Sequence, residues 1–459
     1  MTPAIPARRT LSEPARTLPV AYEPDVLVVG AGAAGIAAAV SAARAGAKTL
    51  LVERYGFVGG TLTAVTLGSI CGPFAVTPDA LTPVVGGVYD DVIERLARHD
   101  AVLPPRRWLK TATVPYDPTA LRLVGDELLA AACVEVMLHT LVVDAHQEAG
   151  RVTAVIVENK GGRAAIVPRM VIDCSGDGDV AVRAGARYAV GEHGVTQFAS
   201  AMFRLANVDT AALQRLTRPD IAALLERAVA EGAELPRTSV GLHLNPLDGI
   251  VHANVTKIQR GDGLPFDYLD PADLTRAEQE GRRQAYRYEE ALRRYVPGFA
   301  RASIVDIGAQ LGLRETRLIQ GERVLTRDDV TGCAKPADAI ALSAWPLEIH
   351  SAGRTTQWGW LPEGDYYGVP YGCLVAAGYS NLLVAGRNLS ADHEAQSSVR
   401  VAAPCFALGE AAGAAAALAL RGNVAAGALD VAALREHLSR EGAILNPLTL
   451  ASHETQTAQ

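Results

Sequence analysis

The chain has 459 residues, 49% of them hydrophobic and 20% charged, so it is long enough for two domains and too apolar to be disordered. Its 43 Lys and Arg residues against 50 Asp and Glu residues give a net charge of −7, which argues against a nucleic-acid partner. The six cysteines include no CxxC pair, so neither a redox disulfide nor a thiolate metal site is predicted.

The chain begins with a Pro-rich arm, residues 1–24, that lacks the apolar core of a signal peptide. The longest apolar run, 411–420, is shorter than a membrane span. A cytoplasmic protein without membrane contact is therefore expected. The arm is long enough to wrap a partner subunit, which leaves a homo-oligomer open.

After the arm, the sequence predicts a strand–helix–strand unit that binds a dinucleotide. A buried strand is followed at once by the glycines of a GxGxxG motif, Gly30, Gly32 and Gly35, then by an Ala-rich helix and a second strand ending at Glu53. In such a unit the first glycine permits the tight turn, the second admits a pyrophosphate and the third lets the helix lie close to the sheet. The acid at Glu53 is placed to accept a hydrogen bond from a ribose hydroxyl.

The rest of the chain alternates helical and strand patterns. Helices are predicted at 88–99, 118–132, 209–232, 271–295 and 404–421. Strands are predicted at 141–143, 152–157 and 164–167, as a three-stranded antiparallel meander, and at 171–173, 239–257, 303–308 and 381–385, with a loop around 103–108.

Three features favour FAD over NAD as the dinucleotide. The run 56–61 follows Glu53 directly and supplies backbone beside a long cofactor, and the meander interrupts the doubly wound pattern. The helix that begins at Pro404 can direct its N-terminus at a flavin, whose reduced form is negative. The predicted class is α/β, with a Rossmann-like FAD-binding domain that contains an antiparallel meander, plus an α+β substrate (cap) domain. The predicted boundaries are 25–189 and 366–459 for the FAD-binding domain and 190–365 for the cap.

Five stretches between residues 30 and 413 carry motifs shared with a known group of proteins. They are GAGAAGIAAAVSAARAGAKTLLVERYGFVGGTLTA (30–64), VIDCSGDGDVAVRAGARY (171–188), LRETRLIQGERVLTRDDV (313–330), WPLEIH (345–350) and YGVPYGCLVAAGYSNLLVAGRNLSADHEAQSSVRVAAPCFALGEAAG (367–413). In these stretches the chain resembles the FAD-dependent oxidoreductases grouped with the fumarate reductase and thiazole synthase type of flavoprotein. The resemblance implies FAD bound in an extended form between the dinucleotide domain and the cap. No histidine follows Gly59-Gly60, where some relatives attach flavin covalently, so noncovalent FAD is expected.

The resemblance also implies a set of cofactor contacts. They are Gly30, Gly32, Ala33, Ala34, Gly35, Glu53, Arg54, Gly60 and Thr61 at the ADP and ribitol, Val143 at adenine, Gly176 and Asp177 in a second motif, and Gly386, Arg387, Arg400, Val401 and Ala403 toward the pyrophosphate and flavin. The chain departs from the pattern at Gly386-Arg387, where many flavoproteins have Gly-Asp. The contact of Arg387 is therefore open, with a phosphate as one alternative.

A flavin enzyme must still orient its substrate and move one proton. His350 and His393 lie in stretches that lead toward the flavin in the resemblance, and a neutral imidazole is able to accept that proton. For each of them a structural hydrogen-bonding role is the alternative, as it is for the cap histidines His193, His243 and His252. Arg314 is expected to bind a carboxylate of the substrate, with an ion pair inside the protein as its alternative.

These features predict an FAD-dependent dehydrogenase or oxidase that removes a hydride from a small organic substrate. One alternative is a flavin monooxygenase that binds NAD(P)H transiently, since residues 177–183 have the Asp-Gly and Arg spacing of aromatic hydroxylases. A non-catalytic flavin-binding protein is the other alternative. No second GxGxxG motif for a resident nicotinamide nucleotide occurs in the sequence.

Overall fold

The protein is described here by a computed structural model covering residues 11–350 and 356–447. The first ten residues of the predicted arm lie outside the described residues. In the described part the α-helices are α1 (Ala33–Arg44), α2 (Thr61–Ala64), α3 (Val88–Arg98), α4 (Pro118–Ala131), α5 (Asp179–Arg183), α6 (Thr210–Gln214), α7 (Arg218–Ala230), α8 (Pro271–Tyr295), α9 (Arg327–Thr331), α10 (His393–Val399), α11 (Ala402–Gly422) and α12 (Val431–Arg440). Short 3₁₀ turns occur at Tyr371–Cys373 and Ala426–Ala428.

The strands of the described part are short. They are β1 (Val20–Tyr22), β2 (Val26–Val29), β3 (Thr49–Val52), β4 (Ser69–Cys71), β5 (Phe74–Val76), β6 (Leu81–Pro83), β7 (Arg106–Trp108), β8 (Thr111–Pro115), β9 (Glu135–Met137), β10 (Leu141–Glu148), β11 (Arg151–Asn159), β12 (Gly162–Ile166), β13 (Met170–Asp173), β14 (Tyr188–Val190), β15 (Phe203–Ala206), β16 (Gly241–Leu244), β17 (Val251–Asn254), β18 (Ser303–Ile307), β19 (Arg317–Ile319), β20 (Ala339–Ser343), β21 (Leu347–Ile349), β22 (Gln357–Gly359), β23 (Tyr367–Pro370) and β24 (Leu382–Val384).

A five-stranded parallel sheet in the order β24-β13-β2-β3-β9 forms the centre of the molecule. Its middle strands are buried at every position, as expected of a sheet covered on both faces. The predicted strand–helix–strand unit is β2-α1-β3. The mixed α/β class is confirmed by this arrangement.

The predicted meander is present as β10, β11 and β12, which pair antiparallel. β1 extends this sheet by pairing parallel to β12. The last residues of the predicted arm are therefore part of a sheet, because the backbone there supplies partners to the open edge of β12.

The predicted cap contains an antiparallel sheet in the order β16-β17-β15-β18, with α7 and α8 packed together beside it. The single helix predicted at 209–232 is wrong: the structure has α6 and α7 there. The helix is interrupted at Thr217, because its side chain and that of Asp220 form a capping box that starts α7. The loop predicted around 103–108 also needs correction, since Arg106–Trp108 pairs with β8 as β7.

Helices α1 and α11 lie unusually close to each other. A Cβ atom added at Gly409 would lie 2.0 Å from the carbonyl oxygen of Ala34, and one at Gly413 would lie 2.2 Å from that of Ala38. The helices therefore meet backbone to backbone, and the Ala and Gly composition of both sequences is what permits this approach.

Part of the predicted cap packs with the main core. The side chains of Leu325, Ile340 and Leu347 belong to the same buried cluster as α1 and α11. β20 contacts α11 directly. The domain boundaries stay a prediction. Residues 325–347 pack with the main core, whereas the sheet of the predicted cap has a hydrophobic core of its own.

One described helix, α11, is long and apolar enough by length and composition to cross a membrane. In its most apolar window, 83% is buried inside the molecule. Its apolar surface thus contacts the core of this protein.

Candidate active site

One cavity of about 470 Å³ joins the central sheet to the cap. On the sheet side its lining follows β2, β3 and β13, at the edge where the carboxyl ends of the parallel strands meet. Ligands of open α/β sheets bind at this edge. On the cap side the lining comes from the segments around β16 and from residues 310–314.

Most of the residues predicted for the site line this cavity. Those that do are Gly30, Gly32, Ala33, Ala34, Glu53, Arg54, Gly60, Thr61, Gly176, Arg314, His350, Gly386, Arg387, Arg400 and Val401. Those outside its lining are Gly35, Val143, Asp177, His393 and Ala403. At two of these positions the adjacent residues line it instead: Leu141 and Val142 in place of Val143, and Ala402 in place of Ala403.

The glycines of the first turn divide into two roles. Gly30 has φ +92°, and a Cβ atom there would lie 2.5 Å from the carbonyl oxygen of Cys174, while one at Gly35 would lie 1.7 Å from that of Gly30. These two positions serve the fold. A Cβ atom at Gly32 would meet only the Cα of Gly60, at 3.9 Å, and otherwise open space. Gly32 thus keeps the backbone open to a ligand at the N-terminus of α1, where free amides and the helix dipole favour a phosphate. Gly60, with φ +51°, is required by the fold, since a Cβ atom there would lie 2.7 Å from the Cα of Gly32.

Glu53 is fixed at the end of β3 by two backbone groups. Its Oε2 accepts a hydrogen bond from the amide of Ala31 at 2.7 Å, and its Oε1 accepts one from the amide of Tyr55 at 3.0 Å. The carboxylate lines the cavity and has further lone pairs for a hydroxyl donor.

Arg387 forms an internal ion pair with Asp177. Its Nη2 lies 2.9 Å from Asp177 Oδ1, and its Nη1 donates to Thr316 Oγ1 at 3.1 Å. Burial raises the pKa of Asp177, but the charge of Arg387 and the hydrogen bond from Thr316 outweigh it and hold that pKa below its ordinary value. Arg387 therefore reaches the cavity wall with its charge balanced.

Besides Arg54, which is exposed and donates to Gln310, four other arginines reach the cavity without a carboxylate partner among the described residues: Arg218, Arg237, Arg314 and Arg400. Arg314 Nη1 donates to the carbonyl oxygen of Phe198 at 2.6 Å, and Arg237 Nε donates to that of Ser239 at 3.1 Å. The Nε and Nη2 of Arg400 and the Nη1 of Arg218 are buried and have no hydrogen-bond partner in the described structure. Buried cations of this kind are unfavourable unless an anion joins them.

All four tryptophans of the chain form one cluster beside these arginines. The ring centroids of Trp108 and Trp345 are 6.0 Å apart, those of Trp108 and Trp358 5.6 Å, and those of Trp358 and Trp360 4.7 Å. The guanidinium of Arg218 lies 4.5 Å from the Trp108 centroid. This wall makes the cap half of the cavity apolar on one side and cationic on the other.

Among the described residues of the cap half, Glu348 is the one acidic side chain that lines the cavity. It accepts from Trp345 Nε1 at 3.1 Å and from His350 Nε2 at 3.2 Å. Burial raises the pKa of Glu348, but the hydrogen bond of His350 and the charges of Arg400 and Arg314 outweigh it and lower that pKa to about 2. Burial, followed by Arg314, lowers the pKa of His350 to about 3. The imidazole is therefore neutral, with its proton on Nε2 and a lone pair on Nδ1.

A family model described as FAD dependent oxidoreductase matches residues 25–438, most of the chain. The chain belongs to this family. In sequence it is similar to the hydroxyneurosporene desaturase of Cereibacter sphaeroides, at 40% identity over 85 residues. The matched stretch is 18% of this chain and 16% of the desaturase, so it spans a small part of that relative's length.

The chain is also similar to solved structures. A geranylgeranyl bacteriochlorophyll reductase-like protein from Thermoplasma acidophilum has a TM-score of 0.46 and 14% identity, with 88% of this chain and 80% of that chain covered. The OxyS anhydrotetracycline hydroxylase from Streptomyces rimosus has a TM-score of 0.45 and 13% identity, with 87% and 63% covered.

The residues of this FAD-dependent oxidoreductase fit the ADP half of FAD. The backbone at Gly32 leaves a gap that a side chain would fill, the amides of α1 point to it, and Glu53 stands at the end of the next strand. The flavin half has room in the same cavity, toward Arg400 and Val401.

Glu53→Gln is expected to weaken FAD binding by about 1–3 kcal/mol, because an amide has one acceptor oxygen for two backbone donors and a ribose hydroxyl. The measurement is a titration of apoprotein with FAD, followed by flavin fluorescence. Glu135→Gln, the same change at an exposed position of β9, is the matched control. Equal affinities in the two variants would mean that another residue holds the ribose.

His393, predicted as a catalytic candidate, lies outside the cavity lining and is paired with the buried carboxylate of Glu315. Its Nδ1 lies 2.8 Å from Glu315 Oε2, which also accepts from the amide of Gln197 at 3.0 Å. Burial lowers the pKa of His393, but the hydrogen bond and charge of Glu315 outweigh it and raise that pKa above its ordinary value. These contacts are those of a histidine in a structural hydrogen-bonding role.

The stability that this ion pair contributes should depend on pH. A raised pKa in the folded state means that the contribution is complete below the ordinary value of 6.5 and is lost as pH rises through the raised pKa. His393→Gln should therefore lower the free energy of unfolding by about 1.5–3 kcal/mol below that pH, and by less at alkaline pH. Urea unfolding at a pH below 6.5 and at an alkaline pH measures this difference. His99→Gln, at the half-exposed pair with Glu127, is the control, and its effect on the free energy of unfolding is expected to be smaller. A deficit that is the same at both pH values would contradict the prediction.

The sequence reasoning missed Glu348, Arg218, Arg237 and the tryptophan wall. A usable signal existed for Glu348: it stands two residues before His350, and alternate residues of a strand share a face. No local pattern marked the two arginines.

Proposed function

We propose that this FAD-dependent oxidoreductase is a dehydrogenase or oxidase that removes a hydride from a small anionic organic substrate. The observation that carries the proposal is the set of buried arginines without carboxylate partners in the same cavity as the nucleotide cradle. A substrate carboxylate would pair with Arg314, whose Nη1 is oriented by the carbonyl of Phe198 and the hydroxyl of Ser200.

His350 is the proposed proton acceptor. When FAD is bound it supplies the two-electron acceptor, so the substrate loses one hydrogen with its electron pair as hydride and one as a proton. Glu348 holds the Nε2 proton of His350. The lone pair of Nδ1, 3.5 Å from the Thr356 hydroxyl, is the proposed acceptor of the substrate proton. Arg314 lowers the pKa of His350. An anion that pairs with Arg314 would remove part of that effect and make the imidazole a stronger base when substrate is present.

The FAD is proposed to be noncovalent. The residues at the turn, Gly59, Gly60 and Thr61, include no histidine, the residue through which some relatives attach flavin covalently. Heat or acid denaturation should release all of the flavin into the supernatant.

The test is anaerobic mixing of the purified holoprotein with a panel of small carboxylates while the flavin absorbance is recorded. Bleaching by a carboxylate substrate, without nicotinamide nucleotide, is the expected result. Rapid bleaching by NADPH alone, followed by oxygen incorporation into an added compound, would replace this function with that of a flavin monooxygenase. A protein unable to take up flavin would be a binding protein or partner subunit.

A further inference from the structure

The cap half of the cavity holds more positive charge than one substrate carboxylate can balance. Arg400 is predicted to serve the flavin end, so the described lining of the cap half holds Arg218, Arg237 and Arg314 and the one carboxylate of Glu348. Three positive charges and one negative charge leave an excess of two. His243, on the same wall, adds no charge, because burial and then Arg218 lower its pKa to about 4.

Arg218 and Arg237 form a pair of their own. Both bond to Ser239: Arg237 Nε donates to its carbonyl oxygen at 3.1 Å, and Arg218 Nη2 to its hydroxyl at 3.5 Å. The Nη1 of Arg218 is buried without a partner. These contacts bring together the guanidinium groups of Arg218, the first residue of α7, and Arg237, in the loop before β16.

The pair is held in place before any ligand arrives. The Tyr288 hydroxyl, on α8, accepts from the amide of Arg237 at 3.0 Å and donates to its carbonyl oxygen at 2.7 Å. Trp108 supports the guanidinium of Arg218 by a cation–π contact at 4.5 Å. Fixed, partly desolvated guanidinium groups of this kind bind carboxylates strongly, since little ordering is needed on binding.

Resting on the proposed function, we infer that Arg218 and Arg237 form a second anion subsite in the cap, and that the substrate is an organic dianion with two carboxylates separated by an apolar spacer. One carboxylate pairs with Arg314 and the other with the Arg218–Arg237 pair. The spacer lies against Trp108 and Trp345.

Binding is measured on the oxidised holoprotein at constant ionic strength, by quenching of tryptophan fluorescence and by flavin difference spectra. Tryptophan emission is a local probe because all four tryptophans belong to the cluster beside Arg218. The probes are the straight-chain dicarboxylates from succinate to adipate and the three benzenedicarboxylates, each compared with its monocarboxylate. At least one dicarboxylate should bind about 10- to 100-fold more tightly than its monocarboxylate, the range for a hydrogen bond to a charged group.

Variants separate the two subsites. Arg218→Gln and Arg237→Gln should each abolish the dicarboxylate advantage and leave monocarboxylate affinity unchanged, whereas Arg314→Gln should weaken both. Arg215→Gln, at an exposed arginine just before α7, should behave as wild type. Flavin content and circular dichroism report whether each variant is folded.

The inference is wrong if no dicarboxylate binds more tightly than its monocarboxylate, or if both cap variants leave that advantage intact. Because no turnover is needed, these results are independent of the hydride-transfer test. A dicarboxylate that binds as predicted and never bleaches the flavin would overturn the proposed function alone.

Discussion

Gly32→Val should give a folded, colourless protein. The backbone at Gly32 has φ −73° and ψ −170°, an extended conformation that valine adopts readily. Its added Cβ would meet only the Cα of Gly60, at 3.9 Å, so the substitution places its methyl groups in the cavity and not against the fold. A side chain there obstructs the approach of a pyrophosphate to the N-terminus of α1, and FAD retention should be lost.

The measurement is the ratio of flavin to protein absorbance after purification, together with the melting temperature of the apoprotein. Gly35→Ala is the contrasting control, because its single methyl carbon would lie 1.7 Å from the carbonyl oxygen of Gly30. That variant should fail to fold, whereas the Gly32 variant fails only to bind. A yellow Gly32→Val protein would place the pyrophosphate elsewhere.

His350→Gln should slow flavin reduction by substrate about 100- to 10,000-fold, the usual effect of losing a general base. The glutamine amide is able to donate to Glu348 as His350 Nε2 does, so the hydrogen bond to the Glu348 carboxylate is kept. What the variant lacks is the basic lone pair of Nδ1. Flavin content and substrate affinity should stay close to wild type.

Stopped-flow absorbance under anaerobic conditions measures this rate. His393→Gln, the same change outside the cavity, should reduce at the wild-type rate. The pH profile is a second readout: wild-type reduction should slow as acid protonates His350, and the His350→Gln profile should lose this limb. Equal rates for wild type and His350→Gln would mean that the proton leaves to another group.

The nucleotide half of the site could be predicted from the sequence because its signals are local. The turn glycines, α1 and Glu53 all lie within one strand–helix–strand unit, and each residue type is required by the backbone geometry there. The long helix at 271–295 was predicted with the bounds that the structure gives α8. Its start is marked by Asp270, which caps the helix, followed by a proline at its first position.

The cap half could not be predicted in the same way. Arg218 begins α7 and Arg237 lies in a loop, and they meet only because Tyr288 of α8 holds that loop against the cap core. Trp108 and Trp345 are far apart in the sequence and stack through tertiary packing. A helix predicted through residue 217 also concealed the position of Arg218 at a helix N-terminus.

The close contact of α1 with α11 has a consequence for how the protein is made. The helix that carries the phosphate-binding turn is near the start of the chain, and the helix it meets backbone to backbone is near the end. β24, which borders the central sheet beside β13, is also synthesised late. While the ribosome is still translating, α1 lacks the surface that holds it in place. We therefore expect flavin to be held stably only after α11 has been synthesised and has left the ribosome.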